Sequence, residues 1–334
     1  MLLSTHVFAM NEDVVTIPPN SEGPRPTGNN TANVALSRLL SLVELISRDK
    51  ITAVSLLFLL FLCLSALLSP LFFGDVNTKM NFEIRLLSPT LENGHMLGTD
   101  ALGRDYASRI LLASRNSLAI ALTVVLISVP IGVVLGLIAG YFGGWVDDVI
   151  MRIVDVALGF PSLLLALIVI FVLGPSVMNI ILVLAITRWM MYTRVVRAEL
   201  LKLRNLDYVR ASRASGATDT WIMLKHLLPN LLATLFVLSS LELATVILSE
   251  SSLSFLGLGI QPPDASLGLL VAQGTEYMMV AWWLMLFPGL TIFLITMSLI
   301  IISNWSGIFL DPMQRWRLTS VQRTASSTAR KTSG

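Results

Sequence analysis

The stretch that decides the fold is residues 118–140, LAIALTVVLISVPIGVVLGLIAG, which contains no charged residue and is almost wholly apolar. It is longer than the roughly 20 helical residues that the hydrocarbon core of a bilayer requires. Because its apolar residues are continuous and do not alternate with polar ones, it predicts a membrane-spanning helix and excludes a β-barrel strand. Gly132, Gly136 and Gly140 recur at a spacing of four, which predicts a smooth stripe for close approach by another helix.

Five further apolar runs extend this pattern to both sides. They are residues 51–68, 150–173, 177–196, 231–255 and 277–303. Pro161 and Pro288 predict kinks in two of these runs. The whole chain is 54% hydrophobic and 13% charged, whereas soluble domains carry about 25% charged residues. The sequence therefore predicts an all-α polytopic membrane protein with six transmembrane helices.

Basic residues predict the orientation, since Lys and Arg accumulate on the cytoplasmic side of a membrane. With a cytoplasmic amino terminus, eighteen of the twenty-three Lys and Arg residues fall inside, and both termini are predicted to be cytoplasmic. The chain is predicted to begin with a disordered tail over 1–36, followed by an amphipathic segment with the first span over 37–70 and an outer segment over 71–117. A core of five spans follows over 118–303 and contains a cytoplasmic loop at 197–230. The chain is predicted to end in a cytoplasmic tail over 304–334.

The cytoplasmic loop has the sequence pattern of a helical hairpin. Asp207 is placed to cap a helix over 208–215, and Gly216 is suited to end it in the left-handed conformation. Thr218 or Asp219 is placed to cap a second helix. Either the hairpin lies on anionic lipid or it docks on a protein partner, and its amphipathic pattern alone favours neither.

In the second helix of the hairpin, Trp221, Leu224, Leu227 and Leu228 are predicted to share one apolar face. Pro229 is predicted to end this helix and to open the fifth span.

Ionisable residues inside spans are costly and often functional. Glu242 and Glu250 either line the translocation path or a gate, or bond to neighbouring helices and, for Glu250, to the outer loop. Arg188 is expected to face the inner cavity or to snorkel towards water. Arg152 and Asp155, one helical turn apart, are expected to form a local ion pair.

Catalytic and metal-binding patterns are absent from the sequence. The three histidines, His6, His95 and His226, are far apart and match no metal-ligand spacing. None of the five lysines follows a glycine, so the chain has no phosphate-binding Walker A loop. The single cysteine, Cys63, allows neither an internal disulfide nor a thiolate metal site. The sequence predicts no enzymatic site and no nucleotide-binding site within this chain.

Residues 208–216, YVRASRASG, followed by Leu228 and Pro229, resemble the EAA loop of permease subunits in binding-protein-dependent ABC importers. Arg210 and Ser212 depart from the Glu and Ala usual there. The resemblance implies that the loop couples the permease to an ATPase. The residues it assigns to that contact are Asp207, Tyr208, Arg210, Ala211, Ser212, Gly216, Ala217, Trp221, His226, Leu228 and Pro229.

The resemblance covers about residues 37–312 and is closest to the C-type subunit of the dipeptide/oligopeptide subfamily, which also includes nickel permeases. Further matches are AGYFGGWVD at 139–147 and LSFLGLGIQPP at 253–263. An outer-face signature consists of Gly98, Thr99, Asp100, Gly103, Arg104 and Asp105.

The resemblance implies a type I ABC importer permease fold in a bacterial inner membrane, working by alternating access. Its implied partners are a homologous B-type permease, two ATPase subunits that bind ATP and Mg, an extracytoplasmic substrate-binding protein and membrane lipid, with no nucleic acid. The sequence does not name the solute: dipeptides, oligopeptides, nickel chelates and glutathione all occur in the subfamily.

Two other classes of membrane protein would require features that differ from these. An ion-coupled secondary transporter would need paired inverted repeats, and a membrane scaffold or enzyme would need a clustered polar site at a span end; the sequence shows neither. Co-purification with an ATPase separates the importer from both.

Overall fold

The computed structural model describes residues 49–73, 80–90 and 94–310, and this part of the chain is built from helices. The predicted amino-terminal tail, the amphipathic segment before residue 49 and the carboxyl-terminal tail after residue 310 lie outside the described residues. Residues 304–310, which were assigned to that tail, belong to the last helix. The helices are α1 Lys50–Phe73, α2 Tyr106–Phe142, α3 Gly144–Leu158, α4 Ser162–Leu173, α5 Val177–Leu203, α6 Asp207–Ala214, α7 Asp219–Ile222, α8 Leu228–Phe255, α9 Leu267–Thr275 and α10 Trp283–Leu310.

Among the described residues, five helical stretches are long and apolar enough to cross a membrane. They are Lys50–Leu68, Tyr106–Phe142, Val177–Leu203, Asp219–Phe255 and Trp283–Gly307. The bent pair α3 and α4 brings the number to six if it forms one span. This agrees with the predicted all-α membrane fold.

The region predicted as the third span is broken at Pro161. Helices α3 and α4 meet at an angle of 78°, with Pro161 in extended conformation before the first residue of α4. Proline has no backbone N–H to donate and disfavours the helical conformation of the residue before it, so the helix cannot run through this point. The predicted kink is confirmed, but residues 150–158 belong to a helix that begins at Gly144.

Helix α2 begins at Tyr106, twelve residues before the predicted span, and the outer segment contributes its first three turns. The outer segment over 71–117 is long enough to hold a separate helix. Between residues 80 and 90 and from 94 to 105 it forms instead a short 3₁₀ turn, Phe82–Ile84, and irregular backbone.

The glycine stripe of α2 packs directly on α5. A Cβ atom on Gly132, Gly136 or Gly140 would lie 2.4–2.8 Å from the Cβ atom of Tyr192, Val196 or Leu200, respectively. Both sets repeat every four residues, so three contacts align along one seam. The stripe predicted from the spacing is confirmed, and it is used within this chain.

Buried apolar residues form two clusters along the length of α2. One cluster surrounds its Tyr106 end, with α5, α8, α9 and the start of α10. The other surrounds its Phe142 end, with α5, the hairpin and the start of α8. The hairpin is therefore packed against the rest of the protein. This packing holds the exposed side chains of the hairpin in place.

Candidate functional site

The hairpin between α5 and α8 has the predicted turn at Gly216. Helix α6 ends at Ala214, and Gly216 has a φ of +85°, a left-handed conformation that favours glycine. Thr218 caps α7 by accepting a hydrogen bond from the backbone N–H of Trp221. The predicted capping role of Asp207 is wrong: Leu206 occupies the cap position without a side-chain bond, and Asp207 lies in the first turn of α6.

The second helix of the hairpin does not end at Pro229 as predicted. Residues Met223–Leu227 form one π-helical turn that leads directly into α8, where Pro229 lies in the first turn. Proline has no backbone N–H to donate, and Pro229 follows directly on the π turn, where the Leu228 N–H bonds to the Met223 carbonyl oxygen five residues back. The wide turn lets α7 and α8 form one helical stretch from Asp219 to Phe255.

The π turn also changes which residues are buried. The four residues predicted to share one apolar face are split, since Trp221 and Leu224 are 46% and 53% exposed while Leu227 is fully buried. Ile222, next to Trp221, is buried instead. A periodicity of 3.6 residues could not predict this pattern, because a π turn contains more residues than an α-helical turn.

Residues of the two hairpin helices meet around His226. The Nε2 atom of His226 lies 3.1 Å from the Ser212 hydroxyl. Its ring is edge-to-face with Trp221, at 4.8 Å between centroids, and with Tyr208, at 5.8 Å. Asn230 donates to the carbonyl oxygen of His226 at 2.6 Å and to the Tyr208 hydroxyl at 3.3 Å. His226 therefore links the two helices of the hairpin. The family resemblance, in contrast, assigned it to the contact with an ATPase.

The hairpin is attached to the Phe142 end of α2 through Tyr141. The Tyr141 hydroxyl donates to a carboxylate oxygen of Asp219 at the start of α7. The guanidinium carbon of Arg213, at the end of α6, lies 5.2 Å from the centroid of the Tyr141 ring, within the range of a cation–π contact. Arg204 donates to the carbonyl oxygen of Gly140 at 2.8 Å. Both arms of the hairpin thus contact the same helix end.

The outward side of the hairpin carries both apolar and basic groups. Trp221, Leu224, Tyr208 and Arg210 are exposed. Isolated exposed apolar residues are common, but a rigidly held group of them is typical of an interaction surface. Other predicted coupling residues follow: Asp207, Ala211, Gly216 and Pro229 are exposed, and Ala217 and Leu228 are half-buried.

Two predicted ionisable residues of the spans meet. An Arg188 guanidinium nitrogen on α5 lies 3.7 Å from a Glu242 carboxylate oxygen on α8, and both side chains are largely buried. Arg188 also donates to the Ser249 hydroxyl at 2.6 Å. The Nε atom of Arg188 and one oxygen of Glu242 have no hydrogen-bond partner among the described residues. The pair is charge-balanced but retains unused hydrogen-bonding capacity.

Glu250 is fully buried. Its carboxylate accepts hydrogen bonds from Ser117 of α2 at 2.9 Å and from Ser254 at 2.7 Å. Ser117 in turn accepts from the backbone N–H of Leu267, at the start of α9. Of the two alternatives for Glu250, this structure shows bonding to neighbouring elements.

Asp155 does not form the expected local pair with Arg152. Asp155 accepts a hydrogen bond from Arg194 of α5 at 2.6 Å instead. Asp147, also on α3, accepts hydrogen bonds from the Nε atom and a terminal nitrogen of Arg197. Helix α3 packs beside α5, so the long arginines reach across to it. Sequence separation within one helix could not reveal these partners.

The outer-face signature forms one compact cluster at the Tyr106 end of α2. Asp100 accepts from Arg104 Nε and from a terminal nitrogen of Arg109, both at 2.7 Å. Burial opposes the charged form of Asp100, but hydrogen bonds from Arg104 and Arg109 and their positive charges lower its pKa below the ordinary value. Asp100 is therefore ionised at neutral pH.

Other members of the signature shape the backbone around this cluster. Asp105 caps α2 by accepting from the Ser108 N–H at 2.9 Å. The Thr99 hydroxyl accepts from the Leu87 N–H at 2.9 Å. Gly98 and Gly103 have positive φ, and a Cβ atom on Gly103 would lie 1.7 Å from the carbonyl oxygen of Asn81. The signature thus holds the loop onto α2.

Within the described part of the chain, no group of three or more His, Cys, Asp or Glu side chains is arranged to hold a metal ion.

Comparison with known proteins gives a consistent result. Residues 132–316 match the family model described as "binding-protein-dependent transport system inner membrane component". The chain is 34% identical over 302 residues to a dipeptide transport system permease protein of Alkalihalophilus pseudofirmus, covering 90% of this chain and 97% of the relative. A di/tripeptide transport system permease protein of Pseudomonas aeruginosa is 39% identical over 262 residues, or 77% and 86% of the two chains. A glutathione transport system permease protein of Pectobacterium atrosepticum is 36% identical over 231 residues, or 69% and 77%.

Proposed function

The chain belongs to the family of binding-protein-dependent transport system inner membrane components and is a permease subunit of an ABC importer, and we propose that its hairpin at residues 207–230 docks on a separate ATPase. The observation that carries this proposal is the exposed Trp221 and Leu224 on a hairpin that is itself tightly held. A surface that transmits force must be rigid behind its contact face. The surrounding basic residues favour a cytoplasmic position.

The hairpin has two routes by which its displacement reaches the spans. Helices α7 and α8 form one helical stretch. A force applied at Trp221 is therefore transmitted along the axis of a span. Tyr141 links both arms of the hairpin to α2. We propose that ATP-driven closure of two ATPase subunits moves these helices together and switches the permease between inward-open and outward-open states.

The solute is proposed to be a peptide or a related small molecule, because the relatives include dipeptide, di/tripeptide and glutathione permeases. Arg188 and Glu242 are proposed to line the path or its gate, since charged groups within spans are retained at a cost. Glu250 is proposed to stabilise the gate, because its carboxylate accepts hydrogen bonds from Ser117 of α2 and from Ser254.

The remaining partners and the location are proposed from the family. They are a B-type permease that completes the path, an extracytoplasmic binding protein that delivers the solute, and membrane lipid around the spans. The ATPase subunits would bind ATP and Mg. The chain would lie in the inner membrane with both termini in the cytoplasm.

Co-purification tests the docking role. Leu224→Asp places a charge on the proposed contact, so the permease should be recovered without its ATPase subunits. Phe82→Asp is the matched control, because Phe82 is 62% exposed but lies in the predicted outer segment. If Leu224→Asp retains the ATPase subunits and normal ATP-dependent uptake, the docking proposal is wrong.

A further inference from the structure

A cavity of about 220 Å³ lies beside the outer-face signature. Its walls come from the loop before α2, from the first turns of α2, from α9, from the chain that follows α9, and from the start of α10. The polar residues that line it are Asp100, Arg104, Tyr106, Arg109, Gln273 and Glu276. Neither the family match nor the relatives' descriptions assign a role to it.

The deep part of the cavity has an excess of positive charge. Arg104, Arg109 and Asp100 are all buried, so two guanidinium groups share a single carboxylate. The Nε atom of Arg109 is buried and has no hydrogen-bond partner among the described residues. Buried donors of this kind normally have a partner. Glu276, in contrast, is exposed and lies at the rim.

The size of the cavity limits its ligand. Small-molecule pockets usually enclose about 300–1,000 Å³, so this cavity is small for a peptide and suits one inserted side chain. Its position at the Tyr106 end of α2 is opposite to the hairpin at the Phe142 end. In the proposed orientation the cavity therefore lies on the outer side of the membrane, where a binding protein would dock.

We propose that this cavity is a socket for an acidic side chain of the extracytoplasmic binding protein. A carboxylate inserted there would lie beside the two guanidinium groups and balance the positive charge that Asp100 alone does not. Charge-assisted hydrogen bonds from arginine to carboxylate are about twice as strong as neutral ones. The inference rests on the proposed function, because it requires a binding protein on that side.

The experiment measures docking of the substrate-free binding protein on the complete transporter in nanodiscs. Glu276→Gln removes the rim charge that repels a carboxylate, and docking should tighten about 2–5-fold, as expected for an exposed charge. Gln273→Glu adds a repelling charge and should weaken docking by about the same factor. Both residues are at least partly exposed, so neither change should prevent folding.

A third variant tests the deep charge. Arg104→Gln should weaken docking by about tenfold or more, as loss of a buried charged hydrogen bond predicts. Glu83→Gln is the control, since Glu83 is exposed on the same segment outside the cavity. Docking to this control should equal that of the wild type.

Two outcomes would overturn the socket. One is equal docking by the wild type, Glu276→Gln and Gln273→Glu. The other is an effect seen only with peptide-loaded binding protein and lost with a carboxyl-amidated peptide, which would assign the cavity to the solute. Recovery of ATPase subunits in the same preparations checks the proposed function separately.

Discussion

At the scale of single residues, charges are buried only where partners surround them. Asp100 receives two guanidinium groups and the backbone N–H groups of Leu102 and Arg104. Glu250 receives hydroxyl groups. Arg104 stands beside Asp100 in the sequence, but Arg109 and Ser117 of α2 become partners of Asp100 and Glu250 only through the fold, which the sequence did not display.

Asp100→Asn should destabilise the folded protein. The substitution leaves two buried guanidinium groups without a counter-charge, and breaking a buried ion pair in this way costs about 3–5 kcal/mol in free energy of unfolding. Thermal unfolding of the detergent-solubilised protein measures the loss. Asp264→Asn, at an exposed acid, is the control and should change little. Equal melting temperatures for the two variants would contradict this account of the cluster.

The same carboxylate predicts a pH dependence. The folded-state pKa of Asp100 is lowered, so its stabilising contribution is complete above the ordinary pKa of about 3.9 and is lost as pH falls below it. The difference in melting temperature between wild type and Asp100→Asn should therefore be constant from pH 7 to about 5 and shrink below about 4. A difference that grows on acidification would have the wrong sign for a depressed carboxyl pKa.

At the scale of elements, the seam between α2 and α5 decides how closely two spans approach. A Cβ on Gly136 would lie 2.8 Å from the backbone oxygen of Thr193 and 2.7 Å from the Cβ of Val196. Gly136→Ala should therefore overpack the seam and cost about 1–3 kcal/mol. Gly289→Ala, where a Cβ meets no atom within 4 Å, is the matched control. It should be neutral or stabilising by up to about 1 kcal/mol, as measured by thermal unfolding.

The link between hairpin and α2 makes a separate prediction about coupling. Tyr141→Phe keeps the ring beneath Arg213 but removes the hydrogen bond to Asp219. ATPase subunits should still bind, while fewer solute molecules should be imported per ATP hydrolysed. Asp219→Asn retains an acceptor oxygen and should lie closer to wild type. If Tyr141→Phe imports with the wild-type ratio, the attachment has no role in coupling.

Sequence patterns predicted elements better than their junctions. The apolar runs, the glycine seam, the Gly216 turn and the break at Pro161 all depend on local chemistry, which the sequence displays. The π turn at Met223–Leu227 and the continuity of α7 with α8 depend on how the hairpin packs on α2 and α5. For that reason the predicted apolar face was wrong for Trp221 and Leu224, which are exposed and available to a partner.

At the scale of the whole molecule, the two regions proposed to have a function lie at opposite ends of one long helix. The hairpin contacts the Phe142 end of α2, and the charged cavity lies at its Tyr106 end. Between them the span interior holds the Arg188–Glu242 pair. This arrangement suits a permease that accepts its solute at the Tyr106 end of α2 and is moved by an ATPase at the Phe142 end.

Cross-linking from position 224 tests the central claim most directly. In a Cys63→Ser background, which removes the single native cysteine, Leu224→Cys is labelled with a photoactivated maleimide in the assembled transporter. The account predicts a cross-linked product with an ATPase subunit, and none from Phe82→Cys. A product from Phe82→Cys but not from Leu224→Cys would contradict it.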